Sequence, residues 1–373
     1  MKIPLSAPDI TETEIEAVVA VLRTPRLSLG PVSEQFEAAV ADFVSLPHAV
    51  AVSSGTAGLH LCMRALGIGE GDEVIVPSFA FIAAANAIRY ERATPVFADI
   101  DPATLNIDPR RMEEAITPRT RAILVVHNFG VPADMSTILE IAERHGLLVI
   151  EDACEAIGAE HRGSKAGSMG HAGVFAFYPN KQITTGEGGV VVTRDEALAR
   201  RIRALRNQGR YETDDWFQHT ELGYNYRISE INCALGLAQM SRLEEILQKR
   251  AAVAAAYDQR LSRYQQLTLP LLSIPDGRIS WFVYVVRLNN SARLCRDAVM
   301  RGLAAAGIAS GRYFAPIHLQ PSYAAWRNSA NLLVTEAEAS RTIALPFFNN
   351  IEAGAIDRVC HALGSLLLPD QAH

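Results

Sequence analysis

The stretch Ala122-Ile-Leu-Val-Val-His-Asn-Phe-Gly-Val-Pro-Ala-Asp-Met-Ser-Thr-Ile-Leu-Glu-Ile-Ala-Glu-Arg-His-Gly-Leu-Leu-Val-Ile-Glu151 contains a predicted strand, helix and second strand in succession. The strands are Ala122–Val126 and Leu147–Glu151, and the helix is Met135–His145. Both strands are apolar throughout, whereas a strand with one solvated face alternates apolar and polar residues. Continuous apolar strands joined by a helix are typical of a parallel sheet that is buried on both faces.

The same alternation repeats on both sides of this stretch. Predicted strands are Ala49–Ser53, Glu73–Pro77, Thr94–Ala98, Val174–Phe177 and Val190–Thr193; predicted helices are 11–24, 33–45, Thr56–Leu66, Ala80–Arg89 and Pro109–Ala115. We therefore predict an α/β fold, with a large domain in which helices sandwich a mostly parallel, mixed sheet.

The second half of the chain has a different pattern. Residues Ser229–Arg263 form a long helical run, either one helix or two, followed by a strand at Trp281–Leu288 and a helix at Arg296–Ala306. We predict a large domain over residues 1–250, including an N-terminal arm, and a smaller α+β domain over residues 251–373.

Composition narrows the functional class. The chain has 373 residues, 49% of them hydrophobic, and a net charge of −6 without a long Lys/Arg run, so nucleic acid is not an expected partner. It has no apolar run of the ~20 residues that span a bilayer and no export signal, so we expect a cytoplasmic protein with no membrane partner. Five scattered cysteines without a Cys-x-x-Cys pair predict reduced thiols and no metal site.

A lysine provides the main indication of chemistry. In Phe175-Ala-Phe-Tyr-Pro-Asn-Lys-Gln-Ile-Thr-Thr-Gly-Glu-Gly-Gly189, a short apolar strand leads to Lys181, and a glycine-rich bend follows. Combined with a phosphate loop and an acidic strand end elsewhere, such an amine indicates Schiff-base chemistry with pyridoxal 5′-phosphate. The alternative interpretation is a surface lysine beside a turn.

Two further segments support this hypothesis. Ser53-Ser-Gly-Thr-Ala-Gly-Leu59 opens a helix with small residues, as a phosphate site requires, although a plain helix cap has the same appearance. Glu151-Asp152-Ala-Cys-Glu155 ends a strand, where a carboxylate can pair with the pyridine nitrogen of the cofactor, or cap a helix. Neither the phosphate-loop lysine motif nor the dinucleotide glycine fingerprint is present.

Aromatic and histidine candidates are weaker. Phe79 and Phe81 follow a predicted strand, where an aromatic side chain can stack on a planar ring or pack in the core. His127 also follows a strand and has a structural alternative. The segments Tyr224-Asn-Tyr-Arg227 and Arg312-Tyr-Phe-Ala-Pro-Ile-His318 are polar-aromatic clusters. The order of phosphate loop, aromatic, acid and lysine is that of fold-type-I pyridoxal phosphate enzymes.

Over nearly its whole length the sequence resembles the DegT/DnrJ/EryC1/StrS sugar aminotransferases. The matching segments are Leu27-Ser-Leu-Gly-Pro31, Ser54-Gly-Thr-Ala-Gly-Leu59, Gly71-Asp-Glu-Val-Ile-Val-Pro-Ser-Phe79, Thr94-Pro-Val-Phe-Ala-Asp-Ile-Asp101, Val149-Ile-Glu-Asp-Ala153, Asn180-Lys-Gln-Ile-Thr-Thr-Gly-Glu-Gly-Gly189, Gly223-Tyr-Asn-Tyr-Arg-Ile-Ser229 and Pro316-Ile-His318. The lysine segment resembles the perosamine-synthase-like members, which aminate carbon 4 of a nucleotide-linked 4-keto-6-deoxyhexose.

The resemblance implies a fold-type-I transferase and a set of residue roles. Lys181 would form the Schiff base and carry the proton, and Asp152 would contact the pyridine nitrogen. The other implied cofactor contacts are Ser54, Gly55 and Thr56 at the phosphate, Phe81 stacked on the ring, Glu155 at the ring hydroxyl, and Asn225 at the phosphate of a neighbouring subunit. Implied substrate contacts are His318, Tyr313 and Arg227.

The implied reaction moves an amino group from an amino acid, expected to be L-glutamate, to a nucleotide-linked keto-sugar in a homodimer with shared active sites. Two departures from the family pattern are visible: Ala176 stands where many members place a phosphate-binding serine, and Glu155 where many place glutamine. A cyclitol or other ketone as acceptor, and a non-catalytic regulator on the same fold, remain the alternative interpretations.

Overall fold

The computed structural model describes residues 2–326 and 331–368. Its α-helices in chain order are α1 Glu12–Leu22, α2 Pro31–Val44, α3 Gly55–Ala65, α4 Ala83–Tyr90, α5 Pro109–Glu114, α6 Met135–His145, α7 Glu196–Arg206, α8 Glu230–Ser241, α9 Leu243–Leu261, α10 Arg296–Ala305, α11 Leu333–Arg341 and α12 Ala353–Leu367. Its strands are β1 His48–Val52, β2 Glu73–Pro77, β3 Thr94–Ala98, β4 Thr120–Val126, β5 Leu148–Asp152, β6 Glu160–His161, β7 Ser164–Lys165, β8 Ala172–Ala176, β9 Gly189–Thr193, β10 Leu267–Thr268, β11 Gly277–Arg278, β12 Tyr284–Leu288 and β13 Thr342–Leu345.

Seven strands form the main sheet, in the order β1-β9-β8-β5-β4-β2-β3. All are parallel except β9, which runs antiparallel to both of its neighbours. The β8–β9 hairpin therefore turns back at the edge where the parallel strands end. Since residues 177–188 connect these two strands, Lys181 lies at the carboxyl edge of the sheet.

Both faces of the sheet are covered, as the continuous apolar strands indicate. On β2, Val74 and Val76 pack into one core cluster and Ile75 into another, and all three are fully buried. Neighbouring side chains on a strand point to opposite faces, so a strand covered on both sides must be apolar at every position. The predicted α/β architecture with a mostly parallel mixed sheet is confirmed.

The C-terminal part contains a second, antiparallel sheet of the order β10-β12-β13. Its core cluster includes Tyr257, Tyr284 and Leu363, and it is joined by Ile3 of the N-terminal arm and Val131. The predicted domain boundary at residue 250 stays a prediction, since α9 runs through that residue as one helix. The last residues of the predicted second domain, 369–373, lie outside the described residues.

Several element boundaries differ from the sequence prediction. The long helical run, for which one helix or two were expected, is two helices, α8 and α9. Strand β12 begins three residues later than predicted because Trp281 has a left-handed backbone, with φ of 53°. Helix α7 was not predicted, although Asp195 caps it by accepting hydrogen bonds from two backbone N–H groups, a signal that the sequence carries. No described helix has the length and hydropathy needed to cross a bilayer.

One glycine of β8, the strand that leads to the lysine, tests this packing. A Cβ at Gly173 on β8 would overlap the backbone of Gly167, whereas a Cβ at Gly354 in α12 would meet nothing within 4 Å. We expect Gly173→Ala to lower the free energy of unfolding by about 2 kcal/mol or more, because backbone atoms cannot move aside as a side chain can. Gly354→Ala is the matched control and should cause no loss. Urea unfolding measures both, and equal stabilities would contradict the packing described.

Candidate active site

A cavity of about 410 Å³ lies at the carboxyl edge of the main sheet. Its walls come from the ends of β4, β5 and β8, the start of α3, the β8–β9 connection and the C-terminal part of the chain. Residues that line it and that the sequence had indicated are Ser54, Gly55, Thr56, Phe81, Asp152, Glu155, Lys181 and Tyr313. The fold thus brings together the predicted lysine, acid, phosphate loop and aromatic side chain, which are far apart in sequence.

Lys181 points into this cavity and is largely withdrawn from solvent. Its backbone N–H closes a turn on the carbonyl of Tyr178, at 2.9 Å, and its side chain is 14% exposed. The amine Nζ lies 3.4 Å from Oε1 of Glu155 and 4.1 Å from the ring centroid of Phe282. A carboxylate and an aromatic face on two sides both stabilise a charged amine.

Glu155 is shared between the lysine and the backbone. Its Oε2 accepts a hydrogen bond of 3.0 Å from the backbone N–H of Phe129, while Oε1 faces Lys181. Burial raises the pKa of Glu155, and the nearby Lys181 opposes that rise. The charged carboxylate is therefore costly at this position and depends on the amine beside it.

The two acidic residues that end β5 point to opposite sides. Asp152 lines the cavity and accepts a hydrogen bond of 3.1 Å from the backbone N–H of Cys154. Glu151 points away and accepts hydrogen bonds from the backbone N–H groups of the 167–170 loop. Successive side chains of a strand point to opposite faces, so Asp152 faces the cavity and Glu151 has a structural role.

His127 belongs to the structural side. Its Nδ1 accepts a hydrogen bond of 3.0 Å from the backbone N–H of Ala133, so its Nε2 carries the proton and donates to Glu151 at 2.9 Å. The ring is fully buried and does not line the cavity. Of the two interpretations left open for His127, the structural one holds.

The start of α3 forms a tight cradle suited to a phosphate. Ser54 caps the helix by accepting a hydrogen bond of 3.1 Å from the N–H of Ala57. A Cβ on Gly55 would lie 2.7 Å from the Cβ of Ala176, and a Cβ on Gly189 would lie 2.7 Å from the carbonyl carbon of Ser54. Only glycine fits at these two places, so the backbone segments approach closely. The first N–H groups of α3 have no partner within the helix, and this end of the helix lines the cavity.

Two other observations fit a planar, polar cofactor. Phe81 lines the cavity with a 60% exposed side chain, whereas Phe79 is fully buried against Phe129 and Phe314. Phe81 is therefore the aromatic residue that is free to stack on a ring. The side-chain oxygen of Asn180, beside the lysine, is buried without a hydrogen-bond partner among the described residues, so a bound group can supply one.

Three of the predicted site residues do not line the cavity of their own chain. Nδ1 of His318 lies 2.7 Å from the Ser78 hydroxyl, and the histidine is 1% exposed. Arg227 donates to the side chain of Asn207 at 2.9 Å. Asn225 is exposed on the segment beside Arg227.

Other cavity residues were missed by sequence reasoning. Phe282 was assigned to a strand, and its contact with Lys181 depends on how the C-terminal part packs against the lysine turn. Cys154 was quoted only as part of the strand end, yet its thiol lines the cavity, and burial and Asp152 raise its pKa. Asn180, Glu187 and Gly188 lie inside the quoted lysine segment, so proximity to the lysine was the available signal.

Comparison with protein families decides the class. Residues 8–364 match the model of the DegT/DnrJ/EryC1/StrS aminotransferase family. The chain belongs to this family. It is 43% identical over 374 residues to the GDP-perosamine synthase of Caulobacter vibrioides, covering 98% of this chain and 99% of the relative.

Solved structures of similar proteins agree with the fold. DesV of S. venezuelae, in complex with a ketimine intermediate, is 36% identical with a TM-score of 0.91 and full coverage of both chains. The pyridoxal phosphate form of Spr1654 from Streptococcus pneumoniae, described as a sugar aminotransferase, is 26% identical with a TM-score of 0.93, covering 98% of each chain. The predictions of a fold-type-I architecture, an aminotransferase and pyridoxal phosphate as cofactor are confirmed.

The departure at Ala176 gives a test of the phosphate cradle. The Ala176 side chain faces Gly55 at the edge of the cavity, so Ala176→Ser would add a hydroxyl donor there. We expect cofactor affinity to rise by about tenfold, because a hydrogen bond to a charged group contributes ~1.5–3 kcal/mol. Ala176→Val, which adds bulk without a donor, should give no gain. Equilibrium titration with pyridoxal phosphate measures both, and an unchanged affinity in the serine variant would place the phosphate elsewhere.

Proposed function

We propose that this enzyme transfers an amino group from an amino acid, L-glutamate, to a nucleotide-linked keto-sugar, a 4-keto-6-deoxyhexose. The observation that carries the proposal is the Lys181 amine, 3.4 Å from Glu155, in a cavity that also contains Asp152 and the glycine cradle. The 43% identity to a protein named GDP-perosamine synthase supports the acceptor class.

The proposal assigns a role to each cavity residue that the sequence had indicated. Ser54, Gly55 and Thr56 bind the phosphate of the cofactor, and Phe81 stacks on its ring. Asp152 holds a proton on the pyridine nitrogen. When bound, the cofactor supplies an electron sink that stabilises negative charge at the carbon undergoing amination.

Lys181 carries the proton between substrate and cofactor. An amine that alternately takes up and releases a proton needs a partner for its charged form, and Glu155 is placed to provide it. The largely buried position of the amine keeps bulk water from competing for the proton. Tyr313 lines the cavity next to these groups and is proposed to contact the substrate, whereas contacts from Arg227 and His318 stay predictions.

We also propose a homodimer in which each subunit completes the other's site. Asn225 is exposed and lies outside its own cavity, so it is free to reach the cofactor phosphate of a partner subunit. Next to it, the exposed apolar side chains of Leu27 and Leu29 flank Ser28, which pairs with Ser229. Further exposed apolar side chains of the N-terminal segment are Ile10, Ile15, Val19 and Leu22. A cytoplasmic location stays a prediction.

A half-reaction tests the acceptor. We load the protein with pyridoxamine phosphate and add nucleotide-linked 4-keto-6-deoxyhexoses, nucleotide-linked 3-keto-sugars or a cyclic ketone without a nucleotide. We expect the visible absorbance band of the pyridoxal form to return with the 4-keto-6-deoxyhexose alone. Lys181→Ala should show no such return. Equal responses to the ketone without a nucleotide would favour a cyclitol acceptor, and no response to any ketone would favour a regulator.

Subunit mixing tests the shared site. Lys181→Ala and Asn225→Asp should each abolish or strongly reduce turnover alone, since one lacks the amine and the other repels the phosphate. Unfolding and refolding the two together gives mixed dimers in which one site has both native residues. We expect about a quarter of wild-type activity to return, because half of the dimers are mixed and each has one intact site of two. Absence of any recovery would place Asn225 in its own subunit's site.

A further inference from the structure

A short segment of the C-terminal part, Ser280–Phe282, lies against the turn that carries the catalytic lysine. Gln182, the neighbour of Lys181, donates from Nε2 to the hydroxyl of Ser280 at 3.1 Å. The ring of Phe282 is buried, and its centroid lies 4.1 Å from the amine of Lys181. The segment therefore contacts both the lysine and the residue that follows it.

The middle residue of this segment has an unfavourable backbone conformation. Trp281 has φ of 53°, which lies in the left-handed region that bulky side chains rarely adopt. Such a conformation persists only where the surroundings fix it. On either side of it, the backbone N–H of Ser280 donates to the carbonyl of Gly130 at 2.9 Å, and the backbone N–H of Phe282 donates to the carbonyl of Phe129 at 3.1 Å.

Arg250 on α9 fixes the same segment from the other side. Its Nε donates to the carbonyl of Trp281 and its Nη2 to the carbonyl of Phe282, both at 2.6 Å, and its Nη1 donates to Oδ1 of Asn349 at 2.9 Å. The guanidinium also lies 5.0 Å from the ring centroid of Phe347. One side chain thus holds the carbonyl of the strained residue and the carbonyl of the residue after it.

The burial of Arg250 is costly. The residue is 2% exposed, and no carboxylate lies within ion-pair distance of it among residues 2–326 and 331–368. Burial lowers its pKa to about 9. Removing an unpaired cation from water is unfavourable by several kcal/mol unless its donors are satisfied. Here three oxygen atoms accept hydrogen bonds from the guanidinium, and two of them are the carbonyls of Trp281 and Phe282.

We propose that Arg250 is a positioning residue for Lys181: by holding the carbonyls of Trp281 and Phe282, it keeps the aromatic face of Phe282 against the amine. Arg250 does not line the cavity, so it acts through Phe282. The proposal deepens the proposed function, because it rests on Lys181 being the amine that carries the proton.

Besides the ring face, several charged or titratable groups surround the amine of Lys181. Glu155 lies 3.4 Å from the amine, and Asp152, Cys154 and Tyr313 line the same cavity. The carboxylate is the strongest of them, and it stays in place when Phe282 is changed. A contact between a desolvated ammonium and an aromatic face is worth up to about 2 kcal/mol, and a shift of one pKa unit corresponds to 1.36 kcal/mol. Loss of the ring face should therefore lower the pKa of the amine by about one unit.

The sequence makes this pKa measurable, because the chain has only four lysines, Lys2, Lys165, Lys181 and Lys249. We label the full-length protein with ¹³C-lysine, load it with pyridoxamine phosphate so that the amine is free, and titrate the four signals by NMR. Lys181→Met assigns the signal of Lys181. The protons next to that amine should be shifted upfield by the aromatic ring, and an unshifted signal would contradict the contact itself.

Four single variants of two residues and one double variant then test the proposal. Phe282→Leu and Arg250→Met should each lower the pKa of the Lys181 amine by about one unit. The double variant should show the shift of Phe282→Leu alone, since two changes on one pathway are not additive. Phe282→Tyr retains the ring face and should retain the pKa. Arg250→Lys retains a charge but cannot reach all three oxygens, so it should shift the pKa in the same direction by a smaller amount.

Internal controls separate this effect from general damage. Lys165 also lies against a carboxylate, 2.7 Å from Glu160, and an aromatic ring, 4.5 Å from the centroid of Phe43, and its signal should not move in any variant. If Arg250→Met does not fold, Arg250→Lys decides the outcome. A native pKa in the Arg250 variants, with a shifted pKa in Phe282→Leu, would overturn the proposal.

The same titration distinguishes this proposal from the proposed function. Failure of the protein to bind pyridoxamine phosphate would refute the proposed function, while the free amine of Lys181 would still titrate and report on Arg250. Conversely, the positioning role alone would be refuted if the pKa of the Lys181 amine did not change in the Arg250 variants while the protein bound the cofactor and catalysed turnover.

Discussion

The amine of Lys181 lies inside the cavity, 3.4 Å from the carboxylate of Glu155 and against the face of Phe282. Neither charge is favourable there alone, because burial penalises an ammonium and a carboxylate alike. Burial accordingly raises the pKa of Glu155, and the nearby Lys181 opposes that rise. The attraction between the two opposite charges offsets part of the cost of burying them. The proposed chemistry depends on an amine that can be charged or neutral without leaving the site.

The fold brings three segments that are distant in sequence close to that amine. The parallel sheet places the end of β5 and the start of α3 at one edge, so Asp152, Glu155 and the glycine cradle converge. In the main sheet, β9 runs antiparallel to its neighbours, so the lysine segment before it turns at the same edge. The C-terminal part then supplies Phe282, held by the buried Arg250. Sheet order thus explains two contributions, and packing between distant parts of the chain explains the third.

The features that could be predicted from sequence were those that local patterns control. Continuous apolar strands predicted the parallel sheet, and the small residues at Ser54–Thr56 predicted a tight helix start, because each needs only its own segment; phosphate binding there stays a prediction. The choice between one helix and two at α8 and α9, which the sequence left open, and the late start of β12 after Trp281 depend on tertiary contacts. The same is true of Phe282, which has no sequence feature that separates it from a strand residue. His127 could not be assigned from sequence because its role depends on Glu151, 24 residues away.

The central claim is that the amine at position 181 is the group that binds the cofactor. The most direct test is to load the protein with pyridoxal phosphate, reduce it with borohydride to make the linkage permanent, and locate the pyridoxyl group by peptide mass spectrometry. With only four lysines in the chain, the assignment is unambiguous. We predict that the modification lies on Lys181 alone. Modification of Lys165 or Lys249 with Lys181 unmodified would contradict the account.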